Sequence, residues 1–221
     1  MRTAGLVLAV AVLALGLRGE AEPAQDALLQ LDFSHPKLSP SHWTLTLHPD
    51  GSGHFRSEQG AAPAVDSMEA AVPDVDRDIQ VSAEFAGRVF ETARNRKLFN
   101  EPCESHYKIA FQGWKKLSYS GPEGKGACEF NYSKDKEIQS LGDALVSVAA
   151  TILEGARLEM LLQHDRLGLD KEMEYLVEAS GDGRAQQICT IRSILVRLAE
   201  DPEVMERVRK RARALLARAE I

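Results

Sequence analysis

Between residues 43 and 132, outside one loop and one helix, apolar side chains recur at every second position, and from Ser133 onward they recur at every third or fourth. A period of two belongs to strands that bury one face, and a period near 3.6 to amphipathic helices. The change at Ser133 therefore separates a sheet-forming part from a helical part and places the chain in the α+β class. Trp43, Leu45 and Leu47 alternate with Thr44, Thr46 and His48, and Pro49, Asp50 and Gly51 then supply a type I turn with glycine at the left-handed position. Counting outward from that turn sets Phe55 opposite Leu45 and His54 opposite Thr46, so the apolar residues share one face.

Residues 28–33 read as a short strand ahead of a loop punctuated by Pro36 and Pro40, and residues 59–78 as a long loop ending in a strand around Ile79 and Val81. Ser82 is placed to cap a helix of roughly 14 residues that buries Phe85, Val89 and Phe90 and stops before Pro102. Tyr107, Ile109 and Phe111 open a β meander. It continues past a turn at Gly113 with Leu117 and Tyr119, and past the glycines at 121, 124 and 126 with Cys128, Phe130 and Tyr132.

The stripe Ile138, Leu141, Leu145, Val148, Ile152 and Leu153 predicts a long helix to about His164 that packs on this sheet. Residues 169–179, 185–199 and 202–219 read as three shorter helices, punctuated by Asp170 as a cap, by Gly181 and Gly183, and by Asp201-Pro202-Glu203. The expected architecture is an antiparallel sheet packed on a short and a long helix, residues 28–153, followed by a C-terminal helical extension, residues 154–221.

At the N-terminus Arg2, an apolar run over residues 4–17 and then Arg18, Gly19, Glu20 and Ala21 have the order of a cleavable signal peptide, residues 1–21. The run is short of the ~20 residues that span a bilayer, and no later segment approaches that length. The expected mature chain is exported, periplasmic or extracellular, without a transmembrane segment. Export permits disulfides. Cys103 and Cys128 fall in one β region and are the expected pair, which leaves Cys189 a lone thiol in a helix. A net charge of -6 argues against nucleic acid or a general attraction to anionic membranes, which call for a basic field.

The segments HWTLTLHPDGSGHFRSE, DIQVSAEFAGRVFETARNRKLF, YKIAFQGWKKLSYSG and CEFNYSKDKEIQSLGDAL together resemble a family of exported bacterial domains of unknown function. Its members have a strand with a D-G turn, a helix, a β meander and a closing helix. The resemblance covers roughly residues 43–153, and the C-terminal helices resemble an extension seen in proteins of environmental bacteria. The shared motifs are turn and core positions, so the resemblance implies a fold and an exported bacterial setting and carries over no functional residue.

The residues that could carry chemistry do not converge in sequence. His42, His48 and His54 lie near the first hairpin with Asp50 and Glu58 available, but their spacing matches no metal-ligand pattern, and no metal or cofactor is expected. His164, Asp165 and Arg166 suit a helix C-terminus, where cations offset the helix dipole. There is no Gly-x-Ser-x-Gly elbow or phosphate-binding glycine fingerprint. The last helix sets Arg207, Lys210, Arg211 and Arg213 around Val204, Val208, Leu215 and Leu216. It is either an interaction surface or a face answered by Glu172, Glu174 and Glu178 of the preceding acidic helix. The expected function is a non-catalytic module that binds an envelope or secreted protein through its sheet edge or C-terminal helices. The alternative is a periplasmic hydrolase whose site is assembled from sequence-distant residues.

Overall fold

The computed structural model describes residues 27–58 and 74–219. The signal peptide expected at residues 1–21 and most of the expected long loop lie outside the described residues. Six strands form one antiparallel sheet: β1 (Leu28–Ser34), β2 (His42–Leu47), β3 (Ser52–Glu58), β4 (Asp76–Gln80), β5 (Trp114–Gly121) and β6 (Gly124–Phe130), in the order β4-β3-β2-β1-β5-β6. The register sets Leu45 against Phe55 and Thr46 against His54, as counted from the Asp50-Gly51 turn. Leu29, Leu31 and Phe33 of β1 fall in line with Leu47, Leu45 and Trp43 of β2, and on the other side with Tyr119, Leu117 and Lys115 of β5. This row faces the core; the alternate row, with Asp32, Thr44, His54 and Lys116, faces solvent. One wet and one dry face is what strict alternation in an antiparallel sheet produces.

The dry face is covered by α1 (Ala83–Asn95) and α2 (Lys136–His164). Ser82 Oγ accepts from Phe85 N at 3.2 Å, which starts α1, and Asp135 accepts from Glu137 N and Ile138 N at 2.9 and 3.2 Å, which starts α2. At 29 residues α2 is about 43 Å long and outruns the sheet. As far as Ala156 it packs on the sheet core, and from Leu158 it belongs to a second apolar cluster built with α3 (Leu169–Asp182), α4 (Arg192–Glu200) and α5 (Glu206–Ala219). Glycine allows the closest approaches along this rod: a Cβ on Gly142 would lie 2.9 Å from the Phe130 ring, and one on Gly155 only 2.4 Å from Ile191 Cγ2.

Four expectations need correction. Residues 107–112 are not a strand, so the meander has two members, β5 and β6. Both sides of β5 are taken, by β1 and β6. The outer edge of β6 is covered by the chain leading out of α1, where Asn100 donates to Lys125 O and Ser105 N to Tyr132 O. Asp170 is not a cap, since α3 begins behind Gly168 and the Asp170 carboxylate instead receives Arg207 and Arg211, each at 2.7 Å. The segment 185–199 is not one helix. Gln187 takes a left-handed backbone, φ 54°, and a 3₁₀ turn at Ile188–Ile191 precedes α4. Pro202 likewise lies in a turn ahead of α5.

Candidate interaction surface

Every residue from 106 to 112 is exposed, and the segment carries a ridge of large apolar side chains. Tyr107, Ile109 and Phe111 are 58%, 40% and 44% exposed, and Trp114, which opens β5 on the wet face of the sheet, is 42% exposed. The Phe111 ring meets Trp114 edge-on at 5.9 Å and lies 5.2 Å from the His35 ring in the β1–β2 loop, where Leu38 is also exposed. Tyr107 lies 6.4 Å from Tyr132. Gly113 makes this display possible: at φ 105° it crosses the Phe33 ring, which a Cβ would meet at 2.5 Å, and directs Phe111 and Trp114 outward.

A half-buried polar frame holds the exposed segment at both ends. Glu104 accepts from His106 N at 2.8 Å and from Asn131 N at 2.7 Å. Burial alone would push its carboxyl up, but the amides of Asn131, His106 and Tyr132, with the Ser105 hydroxyl, outweigh burial and hold it below the usual carboxylate range. Asn131 Oδ1 accepts from Gln112 N at 2.6 Å, and its Nδ2 donates to Ala110 O at 3.4 Å. Lys115, inward on β5 with its side chain 4% exposed, donates to Asn131 O at 3.3 Å and lies 4.0 Å from Asp143. Burial lowers its pKa, with Asp143 and Glu104 opposing. Cys103 and Cys128 stand at disulfide distance with Cα atoms 5.7 Å apart, which ties the start of the segment to β6.

Other residues singled out in the sequence are spread over the molecule. On α5, Arg207 and Arg211 meet Asp170, Arg211 also approaches Glu174 at 3.6 Å, Arg213 reaches Glu206 at 3.4 Å, and Lys210 is exposed. Of the three glutamates expected to answer this helix only Glu174 does so; Glu172 faces Arg157 and Glu178 faces Arg184. His42 lies 3.3 Å from Asp32, and His54 is flanked by Asp76 and Asp78 at 3.0 and 2.9 Å. These groups sit on the open wet face of the sheet, and among the described residues no group of three or more His, Cys, Asp or Glu is placed to hold a metal.

Cys189 lines a cleft with Ser82, Gln187 and Arg218; burial pushes its thiol up, which disfavours the nucleophilic thiolate. A groove of about 400 Å³ between α1 and α2 has Phe85, Val89, Leu141 and Ala144 as its floor and Arg88 and Glu137 on its rim.

No family model matches the chain, and no curated protein matches it. The ridge was hidden in the sequence because Tyr107, Ile109 and Phe111 imitate a core-facing strand row. The break in that row was visible: Gly113 and Lys115 occupy the next two places, and Trp114 lies out of phase with Leu117 and Tyr119.

Proposed function

We propose that this protein is an exported, non-catalytic interaction module of the bacterial envelope, and that residues 106–114 with Leu38 form its contact surface. The observation that carries the reading is the ridge itself. Several large apolar side chains stand exposed at one end of the sheet, on a segment held by two anchored carboxyl and amide side chains, Glu104 and Asn131. Contiguous exposed apolar side chains mark interaction sites, and a display held rigid in advance loses little freedom on binding. Export is supported by the order of charge and hydropathy over residues 1–21 and by the Cys103–Cys128 pair, since such pairs persist in oxidising compartments.

A photoreactive residue in place of Phe111 tests the reading in the native envelope, with the same group at exposed Gln163 on the far end of α2 as control. Adducts at position 111 beyond those at 163 are expected. Equal labelling at both positions, together with turnover on a panel of ester, peptide and glycoside substrates, would replace the module with the hydrolase alternative.

A further inference from the structure

Residues 34–41 and 105–116, the two loops that meet at the ridge with the strand ends that flank them, contain no aspartate or glutamate, although the whole chain has a net charge of -6. Lys37 and Lys108 lie on these same stretches, beside Leu38 and between Tyr107 and Ile109, and both are exposed. Among the described residues neither has an ion-pair partner, as holds for most lysines of the chain, Lys97 and Lys115 excepted. Of the carboxylates next to these stretches in sequence, Glu104 is turned toward backbone amides and Asp32 lies 3.3 Å from His42. Tyrosine and tryptophan, with an apolar body and a polar edge, favour the boundary between lipid tails and headgroups. Lysine can lay its stem along apolar surface and keep its ammonium among phosphates. The ridge lines none of the clefts described above, so its side chains are free to enter a fluid phase.

On these grounds, and resting on the reading of the ridge as the contact surface, we infer that it docks on an anionic phospholipid surface. Tyr107, Ile109, Phe111 and Trp114 enter the interface, and Lys37 and Lys108 meet the headgroups. Binding then depends on buried apolar area and on charge together.

The test uses the full chain with vesicles of pure phosphatidylcholine and with vesicles of equal parts phosphatidylcholine and phosphatidylglycerol. Trp114 fluorescence is read against lipids brominated at known depth. Trp43 is buried in the core and serves as the reference, and the N-terminal apolar run is common to all variants and cancels between them. Expected are a blue shift and quenching of Trp114 with the mixed vesicles. Affinity should fall about five-fold for each of Lys37→Gln and Lys108→Gln, and about ten-fold or more for Ile109→Ser/Phe111→Ser.

Unquenched Trp114 in both vesicle types overturns the lipid inference. If protein adducts still form at position 111 in that case, the contact surface stands and its partner is a protein; if they do not, both readings fall. Equal affinity for the two vesicle types, unaffected by the lysine changes, also overturns the anionic preference.

Discussion

Glu104 shows how one carboxylate sets the shape of an exposed segment. Its two oxygens hold the amides of His106 and Asn131, and hydrogen bonds to a charged group contribute about 1.5–3 kcal/mol. Because its folded pKa is lowered, that stability is present above the unfolded value of about 4.3 and is lost as pH falls through the folded value. Glu104→Gln should therefore unfold at lower urea concentration at neutral pH, with the gap closing in acid. Tyr119 behaves in the opposite sense. Burial first, and then its hydrogen bond to Glu123, push the phenol up to about 12, so its contribution is intact below about pH 10 and is lost as pH rises toward 12. An absorbance titration should show one of the four tyrosines ionising late, and Tyr119→Phe should remove that late phase.

Among the elements, the caps and the first hairpin were legible because their signals are local. The Asp50-Gly51 turn fixes the β2–β3 register, and Ser82 stops the chain from continuing as strand. Asp135 was not singled out in the sequence, yet it caps α2 and also meets Arg96 at 3.2 Å. Asp135→Ala should cost about 1 kcal/mol by urea unfolding, and Asp135→Asn, which keeps the capping oxygen, clearly less. The ridge was not legible because alternation reports spacing and cannot say whether a sheet has an edge left to accept another strand. Strand β1, read from residues 28–33, takes the place beside β5 that a third meander strand would need, and this is a fact of topology. The split of the α4 segment was hidden for a similar reason: the left-handed turn at Gln187 is accompanied by a distant hydrogen bond, from Ser82 N to its side chain at 2.8 Å.

At the scale of the molecule α2 is shared by both apolar clusters, and Arg77 of β4 reinforces the junction with a two-pronged bond to Glu159 at 2.8 and 3.2 Å. Two glycines separate the demands of helix and packing. Gly87 on α1 has open space where a Cβ would stand, so Gly87→Ala should raise stability by up to about 1 kcal/mol through helix propensity. Gly155 faces the buried, branched Ile191, so Gly155→Ala should lower stability by about 1–2 kcal/mol despite the same propensity gain. Calorimetry should show one transition shifting in each variant, because both clusters share the rod.

The Cys103–Cys128 pair spans the ridge, and this bears on resistance to proteolysis. Lys108, in the most accessible stretch of the described chain, is an open target for a trypsin-like protease. With Cys103 and Cys128 oxidised, a clip there severs the polypeptide but not the molecule, since their disulfide would join the two pieces and each cut end keeps its own tether, Glu104 on one side and Asn131 on the other. A nicked chain should migrate as one species until a reductant is added, and should still carry its aromatic side chains at the same end of the sheet.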